Sequence, residues 1–178
     1  MRRGVTTLLL LGLLLACSGR AQDSQPSEYE VKAAFIFNFA KFVEWPQRAF
    51  LDAQSPFLIG VIGGGLSNTD LDRTVRGKTL NNRSVMVKPC RTLEEARKCQ
   101  VLFIEASEKR RLPEILVGLD NASVLTVGET EGFIQSGGMI SFFREGNKLR
   151  FEINQEAAKQ AGLKVNSKLL SLARMPAK

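Results

Sequence analysis

Apolar and polar positions along this chain fall into short runs with two different periods. Ser27 and Glu30 stand at capping-box spacing just ahead of an apolar stretch. That predicts a helix running to about Glu44, stopped by Pro46. Between Ala33 and Val43 only Asn38 and Lys41 are polar. A helix apolar on nearly every side is either buried in the core or keeps a second face for a partner. The FLIGVI run at 57–62 reads as a buried strand, followed by Gly63, Gly64 and Gly65 and a helical pattern over 68–75. A second strand is expected over 84–88. Thr92 and Glu95 then form another capping box, opening a short helix that ends near Cys99. A third strand spans 101–105. Ser107 caps a helix to about Leu119, with Pro113 disturbing its first turns, and a fourth strand spans 124–127.

Apolar strands alternating with helical segments give a parallel sheet with helices on both faces. Residues 139–143 and 148–153, joined by Glu145-Gly146-Asn147, read as a hairpin, so the last strands are antiparallel. Asn154 caps a helix over 155–161, Gly162 ends it, and 167–173 forms a final short helix. The fold class is therefore α/β: a three-layer sandwich with a mostly parallel central sheet flanked by helices and a C-terminal antiparallel hairpin.

The N-terminus does not fit this pattern. Met1-Arg2-Arg3 is a short positive start, and residues 5–16 are largely leucine, too short for a spanning helix but typical of a secretory signal. Two cleavage readings stay open. Gly19-Arg20-Ala21 has small residues where ordinary signal peptidase reads, which makes 1–21 the signal. Leu14-Leu15-Ala16-Cys17 resembles a lipobox, which makes 1–16 the signal and Cys17 a lipidation site. A single domain over 27–174 follows, a size that allows one real core. Export leaves Cys90 and Cys99, read as a disulfide in an oxidising compartment, with two buried thiols as the alternative. The net charge of +7 shrinks when the signal goes, and its lysines and arginines are scattered. Nucleic acid is a poor partner; an acidic protein surface or an anionic membrane face fits better.

Candidate chemistry is sparse. The chain has no His, the usual general base and commonest metal ligand. The glycines at 63–65 lack the Lys and Ser/Thr of a phosphate loop and read as a turn between strand and helix. Asp70/Asp72 and Glu129/Glu131 read as solvated pairs. No nucleophile–base pair can be assembled, so neither catalysis, a metal nor a cofactor is expected. Glu152 faces away from Phe151 and Ile153 by alternation, either as a solubility device on an edge strand or as a docking contact. Lys164, Asn166 and Lys168 make a small basic surface at the last turn.

Ordered pieces of the chain resemble the YfiR family of periplasmic regulators. They are YEVKAAFIFNFAKFVEWP at 29–46, IGVIG at 59–63, CQVLFI at 99–104, VLTV at 124–127, GGMI at 137–140 and RFEIN at 150–154. Ala157-Ala158, Gly162-Leu163 and KLL at 168–170 complete the set. The resemblance implies a non-enzymatic protein that binds the periplasmic sensory domain of an inner-membrane diguanylate cyclase and represses it, lowering cyclic di-GMP and biofilm formation. It implies sequestration by an OmpA-like outer-membrane lipoprotein, and a disulfide-stabilised homodimer. By the same resemblance Ile140, Glu152 and Ala158 are partner contacts, and Lys164 and Asn166 lie where small anionic ligands bind. The family's breadth keeps an alternative open, a small-ligand sensor subunit acting on a histidine kinase or other receptor. The chain departs from the family in having no Cys in its hairpin.

Overall fold

The computed structural model describes residues 26–64 and 67–174. The signal segment, Cys17 and Gly65 lie outside the described residues. Six helices and nine strands follow in chain order: α1 (Glu28–Lys41), β1 (Val43–Glu44), β2 (Phe57–Ile62), α2 (Ser67–Val75), β3 (Thr79–Leu80), β4 (Arg83–Pro89), α3 (Leu93–Ala96), β5 (Val101–Ile104), α4 (Leu112–Gly118), β6 (Leu125–Gly128), β7 (Ile140–Glu145), β8 (Lys148–Ile153), α5 (Gln155–Gln160), β9 (Lys164–Val165) and α6 (Ser167–Leu172).

Seven strands form one sheet in the order β3-β4-β2-β5-β6-β7-β8. The five central strands are parallel, and β3 and β8 close the two edges antiparallel. The chain leaves β2 for β4, then recrosses to β5, so its winding direction reverses between β2 and β5. That reversal puts helices on both faces. Side-chain alternation confirms it. Phe57, Ile59 and Val61 of β2, with Val101 and Phe103 of β5, join a core beneath α1, α2, α5 and α6. Ile62, Leu102 and Ile104 point the other way, into a smaller core with Ala96 of α3 and Ile115 of α4. The α/β three-layer architecture expected from the sequence is the one observed.

Both capping boxes form: Ser27 Oγ accepts from Glu30 N at 3.1 Å, and Thr92 Oγ1 from Glu95 N at 3.2 Å. The first helix is shorter than expected. It ends at Lys41, and Val43–Glu44 instead pairs antiparallel with Lys164–Val165. A β-branched residue with a strand partner within reach prefers the ladder. Trp45, beyond it, packs edge-on against Phe57 with ring centroids 5.0 Å apart and donates Nε1–H to the Gln100 carbonyl at 3.1 Å. The Trp-Pro pair thus anchors the helix exit to the sheet. Pro113 lies in the first turn of α4 rather than inside a longer helix, because a separate 3₁₀ turn, Ala106–Glu108, takes up the residues around Ser107. In the hairpin Glu145 pairs with Lys148, leaving Gly146 and Asn147 as a two-residue loop with Gly146 at φ 60°.

Gly60 of β2 holds one more constraint. A Cβ there would lie 2.7 Å from Cys99 Sγ and 2.9 Å from Cys90 Sγ. Only a residue without a side chain lets the two sulfurs nest against the strand. Gly60→Ala should therefore lower the unfolding free energy by roughly 1–3 kcal/mol, the usual cost of overpacking a core. Urea denaturation reads this directly, and an unchanged midpoint would contradict it.

Candidate functional site

The carboxyl ends of the parallel strands, where open α/β sheets gather their functional groups, carry a cluster of charged side chains. Lys32 sits one turn into α1 and is only 7% exposed. Its ammonium donates to Glu28 at 2.6 Å, a neighbour at i,i+4, and to Glu129 at 2.5 Å, just past the end of β6. Glu129 Oε1 also accepts from Ala106 N at 3.3 Å, tying the ends of β5 and β6 together. Glu28 reaches Arg144 of β7 at 3.0 Å. One lysine therefore links the first helix to three consecutive strands' exits. Next to it the Glu105 side chain, 4% exposed, packs directly beneath Gly63 and leaves no room for a Cβ there.

Burial alone would depress the Lys32 pKa, but hydrogen bonds to Glu129 and Glu28 outweigh it and the pKa is raised. The Lys32 hydrogen bond lowers the Glu28 pKa against the opposing effect of burial. Sequence reasoning missed this cluster. Glu129 read as half of a solvated pair with Glu131; it is instead a partner of a buried cation. The one signal available was a lysine beside an otherwise apolar helix run.

The residues implied by family resemblance separate into surface and core. Ile140 is 0% exposed and Ala158 1% exposed; both pack in the larger core. Neither side chain is accessible to a partner in this conformation, because their strand and helix turn those positions inward. Glu152 is different. It lies on edge strand β8, faces away from Phe151 and Ile153 as alternation requires, and is half-buried opposite Ser141. Arg174, just past α6, covers part of that edge: its N–H donates to the Phe151 carbonyl at 3.0 Å. Lys164 and Asn166 lie off this edge, on β9 and the cap of α6. Both are exposed, and the Asn166 side-chain oxygen is engaged with Lys168 N at 2.9 Å.

Cys90 and Cys99 are both buried free thiols with their sulfurs 3.7 Å apart. Their mutual hydrogen bond and burial push the Cys99 thiol's pKa up.

The sequence profile of the YfiR/HmsC-like family matches residues 29–174. No curated protein matches. Among solved structures, a conserved domain protein from Vibrio cholerae superposes with a TM-score of 0.57 at 13% identity, over 85% of this chain and 61% of that one. At that identity the likeness concerns the fold; the chain spans about 61% of that protein's length.

Lys32→Met should cost about 3 kcal/mol, because it strands two carboxylates and the bridge between α1 and β6. Its acid profile should change as well. The folded Glu28 pKa lies below the ordinary 4.5, so its contribution is present above that value and is lost as pH falls through the folded pKa. Without Lys32 the loss of stability below pH 4.5 should be shallower, as read by urea melts at several pH values. An identical slope would sink this account.

Proposed function

The chain belongs to the YfiR/HmsC-like family of periplasmic regulators, and we propose from that premise that it binds and represses the periplasmic sensory domain of an inner-membrane diguanylate cyclase. The observation that carries this reading is the extent of the family match, which takes in nearly every described residue from α1 to the end of α6. The family is regulatory and non-catalytic. Among the described residues no helix is long and apolar enough to cross a membrane.

Repression of this kind needs no chemistry. A protein that binds one conformation of a receptor more tightly than another shifts the receptor's equilibrium by that difference in affinity. Edge strand β8, with the half-buried Glu152 carboxylate, is the docking surface in this reading. Lower cyclic di-GMP and less biofilm follow. Release comes through an OmpA-like outer-membrane lipoprotein competing for the repressor, and the active species is a homodimer. Lys164 and Asn166 remain proposed contacts for a small anion. A lipid on Cys17 would hold the protein at one membrane.

Deleting the gene should raise cellular cyclic di-GMP, and a plasmid copy carrying Glu152→Arg should fail to restore the low level. Unchanged cyclic di-GMP in the deletion strain would refute the reading.

In the periplasm the Cys90 and Cys99 thiols are proposed to be oxidised to a disulfide by exchange with the compartment's disulfide oxidant, which takes up their two protons and two electrons. Closing so short a loop adds about 2–3 kcal/mol. Intact mass of protein purified from the periplasm should show two hydrogens fewer than the dithiol, with no thiol reacting under denaturing conditions. Two reactive thiols would show that the pair stays reduced.

A further inference from the structure

Strand β8 ends the sheet, and its free edge is only partly closed. Asn154 N–H donates to the Met139 carbonyl at 2.8 Å, continuing the ladder with β7. Rungs of an antiparallel ladder alternate, so Lys148, Arg150 and Glu152 aim their backbone groups at β7. Leu149, Phe151 and Ile153 aim theirs outward. The Phe151 carbonyl, which accepts from Arg174 N, has that direction. Among the described residues Arg174 alone bridges this edge, beside Glu152. The Leu149 N–H and C=O and the Phe151 N–H therefore have no strand partner.

The opposite edge of the sheet is finished differently. There β3 covers the start of β4, and Pro89 at the end of β4 has no N–H to offer. Strand β8 contains no proline.

The two sides of the open stretch differ in character. On one side the half-buried Phe35 ring of α1 meets Phe151 at 5.7 Å. The same ring lines a groove of about 240 Å³ with Pro26, Val31 and Ala34. Leu149, also half-buried, shares that side with Phe151 by alternation. The other side presents Lys148 and Arg150, both exposed. Arg150 is held by Glu145 at 3.2 Å, an exposed ion pair and so a weak one. Lys148 enters none of the ion pairs among the described residues.

We propose that the receptor docks by strand addition: an extended segment of its periplasmic domain pairs with Leu149 and Phe151 along the free edge of β8. Apolar side chains of that segment face Phe35 and Leu149. A carboxylate on its other face meets Lys148 and Arg150. Main-chain hydrogen bonds supply affinity, and the two unlike sides fix the register. Glu152 marks the end of the open stretch, where Arg174 stops the added strand. This inference deepens the receptor reading and rests on it.

Amide hydrogen exchange, followed by NMR on the mature protein alone and saturated with the purified receptor domain, tests the pairing residue by residue. The Leu149 and Phe151 amides should exchange at least about a hundredfold more slowly in the complex. The Arg150 and Glu152 amides, already bonded to β7, should change far less. Lys148→Glu should weaken calorimetric binding about tenfold, with circular dichroism unchanged. Binding that leaves exchange at Leu149 and Phe151 unaltered would overturn strand addition while the receptor reading stands. Equal binding by Lys148→Glu would overturn the assignment of a carboxylate to the added strand. Failure of the parent to bind would overturn the receptor reading and this inference with it.

Discussion

The buried ammonium of Lys32 is the interaction on which this arrangement depends. A charge removed from water is tolerated only where it is paired and hydrogen-bonded. Here two carboxylates supply that pairing, one from the same helix and one from just past the end of β6. The consequence is geometric. With Glu129 held by Lys32, the loop that follows β6 leaves the sheet at a fixed angle, and Phe133 then plugs the gap between Gly128 and Gly138. Helix α1 is held over the hairpin in the same way. Phe35 and Phe39 meet Phe142 and Phe151 with ring centroids between 4.9 and 6.0 Å apart. The charged clip sets the register and the aromatic cluster supplies the buried area.

Much of this fold was legible in the sequence, for identifiable reasons. FLIGVI is apolar on both faces because β2 is central in the sheet and lies between two cores; its length was read correctly to the residue. The hairpin was legible through its glycine, which takes a positive φ at the turn. What failed was anything set by distant partners. Val43 and Glu44 look helical in isolation, and only the arrival of Lys164 and Val165, more than a hundred residues later, makes them a strand. The cluster around Lys32 failed for the same reason: Lys32 and Glu129 are 97 residues apart. Their local contexts are an ordinary helix start and an ordinary acidic loop. The surface reading of Ile140 and Ala158 came from resemblance rather than from pattern, and pattern would have corrected it. Ile140 shares a strand face with Phe142 by alternation about Ser141, and Ala158 is the inward position of α5.

Function fits this division between core and edge. The two cores close both faces of the middle of the sheet, so the parts able to respond to a partner are the ends of strands and the last edge. Strand β8 offers an edge only partly occupied by Arg174, and its outward acid is half-buried rather than fully hydrated. An unpaired strand edge is a natural site for adding a partner's chain. A carboxylate already partly withdrawn from water loses less hydration on docking than a fully solvated one. Both features suit a regulator that acts by contact.

The central claim is physical association with the receptor's periplasmic domain through that edge. The most direct measurement is a calorimetric titration of the purified receptor domain into the mature protein, beside the Glu152→Arg variant. The account predicts saturable binding by the parent and its loss in the variant, with the variant's circular dichroism and melting temperature intact. No binding by the parent, or equal binding by a folded variant, would contradict it.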